Sequence, residues 1–334
     1  MALGQGYEAI AGVIKEAAWG TVLAVTKAIP FKKEGMKSSF DKIQDSVLRG
    51  VAGRHLLTSG NKTFKGPVTC ELTYQDLDLL IAIALGSAGT PSANGDLYDN
   101  IYSLAADITN SFTLAILKGV SVWEYVGCKI DKLKISGSAN NPLDVEFDVV
   151  AKDLSRASAT NTANVLNALT ITDSGAKIMF SDLEFKMAAQ NTALSGATEI
   201  GLSSFDLTLE NNLAVDQFDS TGLTILQPQR KGVRAVKLTI EMPRYEADTY
   251  HDFVANATAL HAYLKFTSGN YLFDIHLPKF YLVSGESNVD NDDLIPQKFE
   301  ATCLRDPASA SATFTLFEEL EIAVTNGLSA SPLA

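Results

Sequence analysis

The segment Leu143-Asp144-Val145-Glu146-Phe147-Asp148-Val149 alternates apolar and acidic residues without a break. Successive side chains of a β-strand point to opposite faces, so this spacing predicts a half-buried strand with all of its acids on one face. The same period of two recurs in residues 205–209 and 236–242. One polar and one apolar face per strand is typical of an antiparallel, mainly β fold.

A hairpin is predicted around Gly269-Asn270, because glycine at the first position of a two-residue turn suits type II′. The register that follows pairs apolar residues on one face and opposite charges on the other. Its cross-strand pairs are Ala262 with Leu277, Leu264 with Ile275, Phe266 with Phe273, Lys265 with Asp274, and Tyr263 with His276.

Two capping boxes predict helices. Thr73-Tyr74-Gln75-Asp76 places a hydroxyl at the N-cap and an acid three residues later, and Gly86 is positioned to end that helix. Thr249-Tyr250-His251-Asp252 repeats this start 176 residues further on. Each helix is expected to flank a sheet.

The order of elements around the two boxes also repeats, which predicts a duplication. Each copy continues through a strand with a glycine turn, a strand that closes in Ser-Gly, and a final strand that ends in a basic and an acidic residue. We therefore expect two tandem β-sandwich or barrel domains, each with one flanking α-helix. The predicted divisions are a first domain at 1–155 with a long inserted loop at 86–110, a linker at 156–172, a second domain at 173–326, and a flexible tail at 327–334.

Length and charge agree with this division. At roughly 150 residues per domain, 334 residues suffice for two domains. Lys and Arg total 27 against 39 Asp and Glu, a net charge of −12. Proteins that grip nucleic acid normally carry a basic surface, so this balance argues against tight binding of DNA but is compatible with a protein that avoids sticking to it.

Patterns of catalysis and cofactor binding are missing. The three cysteines, Cys70, Cys128 and Cys303, are too widely spaced for a Cys-x-x-Cys site, and no phosphate loop or nucleophile elbow occurs. The four histidines never fall at metal-ligand spacing. Residues 290–293 imitate the start of a calcium loop without its turn glycine, so a solvated acidic loop is the preferred interpretation. We predict no enzyme, no cofactor and no metal.

Several short motifs in a characteristic order resemble the tail tube proteins, or major tail proteins, of long-tailed, non-contractile bacteriophages. The resemblance covers about residues 10–306. In the first half it rests on Glu16-Ala17-Ala18-Trp19-Gly20-Thr21, Ile29-Pro30-Phe31, Leu48-Arg49-Gly50 and Leu85-Gly86. In the second half it rests on Leu209-Glu210-Asn211-Asn212-Leu213, Lys231-Gly232-Val233-Arg234, His276-Leu277-Pro278-Lys279 and Asp293-Leu294-Ile295.

The resemblance implies a structural virion protein of the phage tail, made and assembled in the bacterial cytoplasm without membrane insertion. Members of that family form rings of six tube domains, which stack into a hollow tube that conducts the genome into the host. Two domains per chain favour a trimeric ring with pseudo-sixfold symmetry over a hexameric one. The implied partners are tape-measure and tail-terminator proteins, and DNA that passes through the lumen without specific binding.

Site residues follow from these expectations. Asp144, Glu146 and Asp148 are candidate lumen-facing acids, with an outer solvent-facing surface as the alternative. Trp19 and residues 86–110 are candidate contacts between stacked rings, although an N-terminal Trp is more often a core anchor. The alternative function is a non-catalytic carbohydrate-binding or adhesin-like β-sandwich on a virion or cell surface. A hydrolase is least favoured, because no nucleophile and base pairing is recognisable.

Overall fold

The computed structural model describes residues 5–44, 46, 56–171, 177–190, 192–289, 294–306 and 318–334. The mainly β prediction is confirmed. The first half of the chain, residues 1–155, contains β1 (Ile10–Lys15), β2 (Lys27–Ala28), β3 (Phe31–Glu34), β4 (Lys37–Gln44), β5 (Leu57–Glu71), α1 (Asp78–Leu85), β6 (Gly86–Ala88), β7 (Ser92–Asn94), β8 (Leu97–Leu104), β9 (Phe112–Leu117), β10 (Val122–Ser138), β11 (Asp144–Ala151) and β12 (Asp153–Ser155). Between the halves lies α2 (Ala163–Asn167). The second half, residues 173–326, contains β13 (Leu183–Ala189), β14 (Ser204–Glu210), β15 (Ala235–Met242), α3 (Thr249–Ala255), β16 (Leu260–Ser268), β17 (Tyr271–Glu286), β18 (Gln297–Cys303) and β19 (Glu321–Asn326).

One large antiparallel sheet crosses both halves of the chain. Its strands run in the order β5, β11, β10, β14, β15, β18, β17, and β3 and β4 both pair with β5. The halves join between β10 and β14, where Leu133 lies opposite Leu209 and Ile135 opposite Leu207. These four side chains are at most 2% exposed, so the junction is part of the hydrophobic core.

The same order of strand pairing occurs twice along the chain. In the first half β1 pairs with β9, β9 with β10, and β10 with β12. In the second half β13 pairs with β16, β16 with β17, and β17 with β19. The series β5, β11, β10 likewise matches β15, β18, β17. The long strands β10 and β17 each contribute to both series, and α1 and α3 occupy matching places in the chain order.

The predicted hairpin register is confirmed. β16 and β17 pair with Phe266 opposite Phe273, Lys265 opposite Asp274 and Tyr263 opposite His276. Gly269 has φ +60°, the left-handed value that the first turn position of a type II′ hairpin requires.

Both predicted helix starts are wrong, although Gly86 ends α1 as expected with φ +92°. α1 begins at Asp78, because Thr73 forms a β-bridge with Lys177 and Asp76 adopts a left-handed φ of 72°. A residue at that φ interrupts a right-handed helix. α3 begins at Thr249 itself, with Asp248 at the N-cap, so the threonine is the first helical residue instead of the cap.

Residues 86–110, expected as an inserted loop, form β6, β7 and β8. Period-two burial explains the strand: Asn100, Tyr102 and Leu104 are buried while the residues between them are more exposed. β8 pairs along its length with β19 of the second half, from Tyr98 opposite Asn326 to Ser103 opposite Glu321. A segment of the first half therefore extends a sheet layer of the second half.

Residues 156–171 and 327–334, expected as a linker and a flexible tail, both pack against the first half. Asn161 is fully buried, accepts a hydrogen bond from the Val25 N–H at 2.8 Å and donates to Glu124 at 2.6 Å. Lys15 Nζ donates to the Leu333 carbonyl at 2.5 Å. The division of the chain into two domains stays a prediction.

Candidate functional site on the large sheet

The three candidate acids project from one face of β11. Val145 and Phe147 between them are fully buried in the core, whereas Asp144, Glu146 and Asp148 keep partial exposure. We call this side of the sheet, over β5, β11, β10, β14, β15 and β18, the polar face. Its acids are Glu71, Asp144, Glu146, Asp148, Asp206, Glu210, Glu241 and Glu300, and its lysines are Lys65, Lys132, Lys134, Lys237 and Lys298. Acids outnumber lysines on these six strands.

Lysines of β10 stand between the acids of its two neighbours. Lys134 Nζ lies 3.0 Å from Asp206 Oδ1, and Lys132 Nζ lies 3.9 Å from Glu210 Oε1. At the opposite edge of β11, Lys32 Nζ lies 2.7 Å from Asp144 Oδ1. Each side chain in these three pairs is at least 36% exposed, so a pair contributes about 1 kcal/mol or less to stability. Their main effect is to reduce the net charge that the face presents.

Crowding of like charges marks the other end of the acid row. Burial raises the pKa of Asp148, and the negative charge of Glu146 raises it further, while Lys132 acts in the opposite direction. Glu146 itself accepts a hydrogen bond from the Thr69 hydroxyl at 3.2 Å. The polar face is thus a mixed surface with an acidic surplus, not a uniform row of carboxylates.

Lys132 and Lys134 were not predicted as residues of this face, although their spacing in the sequence places them there. Lys132 and Lys134 alternate with the buried residues Leu133 and Ile135, which is the same period of two that identified the acids. The sequence does not show which strands pair, and only the register of β10 with β11 brings Lys134 opposite Glu146.

Trp19 is held within its own half of the chain. Its indole Nε1 donates to the Gly127 carbonyl at 3.1 Å, and Lys152 Nζ lies 4.5 Å from a ring centroid of the indole. Gly127 has φ +63°, and a Cβ at that position would lie 2.9 Å from Nε1, so only glycine permits this contact. A contact between Trp19 and a neighbouring ring stays a prediction.

Two further surfaces of the sheet are accessible. The hairpin of β4 and β5 exposes Phe40, Ile43 and Leu57 by 45%, 61% and 56%. The Lys62 N–H of β5 donates to the Leu223 carbonyl of the second half at 2.7 Å. At the far end of the sheet, residues 281–286 of β17 pair with β18, and the described residues provide no strand along their other edge.

No catalytic or metal-binding constellation emerges among the described residues, where no cluster of three or more His, Cys, Asp or Glu could hold a metal. Burial raises the pKa of all three cysteines, that of Cys70 to about 12, which keeps the thiols protonated. The rings of His251 and His261 contact Ser287 and the Thr192 carbonyl. His55 and the 290–293 loop lie outside the described residues.

The chain matches the model of the phage tail tube protein family over residues 6–329 and therefore belongs to that family. It is a structural, non-catalytic component of the virion tail, as predicted. This membership favours the tube role over a carbohydrate-binding or adhesin-like module. No curated protein matches the chain. Within the described ranges, no helix has the length and apolarity needed to cross a membrane.

Proposed function

We propose that this protein is the repeating subunit of a hollow tail tube, with two tube domains per chain and three chains per ring. The observation that carries the proposal is the β10–β14 junction, where the two halves join edge to edge in one continuous sheet. The repeated pairing order supports two equivalent domains. A ring in which every domain meets the next through such a junction has sixfold pseudo-symmetry with three chains.

The ends of the large sheet supply the strands for the junction between chains. β3 stands beside β5 as β14 stands beside β15, and β17 stands beside β18 as β10 stands beside β11. The counterpart of the β10–β14 junction is therefore β17 of one chain against β3 of the next. Pairing of these edges removes the exposed backbone groups that otherwise promote aggregation.

The polar face is the side of the sheet that suits a lumen, because the hydrophobic core covers its other side. A surplus of acids repels the phosphate backbone, so DNA passes without deep binding minima. The lysines paired with Asp144, Asp206 and Glu210 limit that repulsion without creating a free basic strip. Tape-measure and tail-terminator proteins are the further partners of this proposal.

Stacking of rings requires contact surfaces on the two sides of each ring that face its neighbours along the tube. The exposed apolar hairpin of β4 and β5 is our strongest candidate for this contact, because isolated exposed apolar patches commonly mark interfaces. Trp19 and residues 86–110 are the other candidates, although both make contacts within the chain.

Electron microscopy of the purified protein, combined with native mass spectrometry of released rings, tests the proposal. We expect hollow tubes of regularly stacked rings with three chains in each ring. Six chains per ring would refute the trimer, and a protein that stays monomeric at high concentration would refute the tube function itself.

A further inference from the structure

A cleft of about 970 Å³ lies between α3 and the segment that follows β13. Met187, Met242, Tyr250 and Phe253 supply apolar walls, and residues 192–201 form the opposite lip. No residue of α3 is fully buried, so the helix covers the second half only loosely. Accessible apolar surface of this kind commonly marks a site where another protein binds.

The matching groove of the first half is smaller, because residues of the second half and of the C-terminal segment cover part of it. α1 is buried at all eight of its residues. The groove between α1 and the segment after β1 measures about 510 Å³, and its walls include Leu328, Ala330, Ser331, Pro332 and Ala334. The carbonyl of the adjacent Leu333 accepts the bond from Lys15, which also lines the groove. Asn326 donates to Asp78 Oδ1 at 2.9 Å, at the start of α1. Asn211 donates to the Ala84 carbonyl at 2.9 Å, near its end.

All of these covering groups come from the second half of the chain or from the residues that follow it. The order of strand pairing makes β13 the counterpart of β1 and α3 the counterpart of α1. In a ring of alternating halves, the first half contacts the second half of its own chain, and the second half contacts the first half of the next chain. The cover that α1 finds within the chain is then available to α3 only from a neighbour.

We infer that the cleft beside α3 binds the first half of a second copy of this chain. The inference rests on the proposed ring and adds to the edge pairing of β17 with β3 a second, side-chain contact. Tyr250 and Phe253 are its central apolar groups, and Ser195 and Gly196 stand exposed on the lip that the neighbour would cross.

Ser195→Trp tests the inference, because a bulky side chain at the lip obstructs the cleft and no buried packing is removed. Thr267→Trp, at an exposed position of β16 that does not line the cleft, is the matched control. We expect S195W to retain the melting temperature of the parent protein and to lower the assembled fraction about tenfold or more, while T267W assembles normally. If S195W assembles like the parent protein, the inference is wrong.

A photo-crosslinking residue at Ser195 provides a readout that does not depend on a disruptive variant. Rings made from a mixture of ¹⁴N- and ¹⁵N-labelled chains distinguish links between chains from links within one. We expect mixed-isotope links to residues 10–155 of the neighbour. Links confined to the same chain, including residues 307–317, would overturn the inference while leaving rings and tubes intact, whereas a parent protein without rings would refute the proposed function.

Discussion

Single glycines determine how closely the strands of the first half approach one another. Gly66 of β5 lies so close to the segment before β4 that a Cβ would stand 2.2 Å from the Gly35 carbonyl oxygen. At Gly137 of β10, a Cβ would stand 2.4 Å from Leu143 Cδ2 and 2.8 Å from atoms of Phe180 and Phe205. A backbone neighbour cannot move aside as a side chain can, so Gly66 is the more restricted position.

Gly66→Ala is expected to lower the free energy of unfolding by about 3 kcal/mol, because the new methyl group must displace the Gly35 peptide. Urea denaturation followed by fluorescence measures the change. Gly196→Ala is the control, since a Cβ there meets no atom within 4 Å and the variant should unfold like the parent protein. Equal stabilities of G66A and G196A would contradict the close approach.

His276 is the second residue whose environment has a measurable consequence. Its Nε2 lies 2.8 Å from Asp274 Oδ2 and its Nδ1 lies 3.0 Å from Glu321 Oε1. Burial disfavours the imidazolium, but the hydrogen bonds to Asp274 and Glu321 outweigh burial and raise the pKa to about 9. The sequence predicted the position opposite Tyr263 but not Glu321, which arrives from β19.

Because the folded pKa of His276 exceeds the unfolded value of about 6.5, its stabilisation is complete below pH 6.5 and is lost as the pH rises to 9. We expect the unfolding free energy to fall by about 3 kcal/mol over this window. His276→Gln should be less stable than the parent protein at pH 6 and should lack this fall. His251→Gln, which leaves the carboxylate pair untouched, should retain it. Chemical denaturation at pH 6, 7.5 and 9 measures both, and an unchanged slope in H276Q would exclude the imidazolium.

At the scale of elements, β8 links the two halves outside the large sheet through its pairing with β19. Asn326, at the end of β19, accepts a bond from Asn100 Nδ2 at 3.0 Å and donates to Asp78 and to the Tyr74 carbonyl, each at 2.9 Å. Tyr102 donates to Asp78 at 2.6 Å. One buried polar group of side chains thus connects α1, β8 and β19.

Asn326→Ala should loosen this connection, because it removes the donor to the Tyr74 carbonyl, one donor to Asp78 and one of the three acceptors of Asn100 Nδ2. We expect faster amide hydrogen exchange in residues 97–104 and 321–326, with unchanged exchange in β5 and β11. Asn94→Ala is the control, since the side chain of Asn94 is exposed and its one described hydrogen bond is to the half-buried Asp99, at 3.0 Å. Uniform acceleration throughout the chain would show global destabilisation instead of a local release.

Element-level prediction succeeded where a pattern is local and failed where it depends on a distant partner. The β16–β17 register follows from a short turn and ten neighbouring positions, and it is correct at every predicted pair. The predicted start of α1 was wrong because Thr73 forms a β-bridge with Lys177, more than a hundred residues away in the sequence. The loop prediction for residues 86–110 was wrong because it rested on their polar composition. The pairing of β8 with β19, which is distant in sequence, stabilises β8 as a strand.

At the scale of the whole molecule, the structure shows where part of the net charge of −12 lies. Part of the acidic surplus lies on the polar face, beside lysines that belong to the same strands. Replacing acids by lysine would therefore add repulsion to Lys132 and Lys134 and would endanger the sheet as well as the lumen. Substituting the acids by their neutral amides changes the charge of the lumen without adding new positive charges beside Lys132 and Lys134.

The triple variant D144N/E146Q/D148N should assemble normally and eject DNA more slowly, because Lys132 and Lys134 then face the lumen with fewer acids beside them. The rate of DNA release from purified particles carrying the variant measures the effect, which should weaken as salt increases.

A control with the same change in net charge, E8Q/D216N/D219N, alters exposed acids that lie outside the polar face, the cleft beside α3 and residues 86–110. It should eject DNA at the parent rate. Normal ejection from the D144N/E146Q/D148N particles would show that this face does not meet DNA, and equal slowing in both variants would point to net charge alone.

The sequence by itself determined three features of the fold. The period of two identified strands and their buried faces, the Gly269-Asn270 turn set the hairpin register, and the two capping boxes indicated two helices. Each of these signals depends on neighbours within a few positions. The tertiary structure decided which edges meet: β10 with β14, β8 with β19, and residues 327–334 with the groove beside α1. Alternating strands have similar apolar faces, so the pattern cannot select among partners. That selection depends on the complementary packing of side chains across the core, which exists only once the chain has folded.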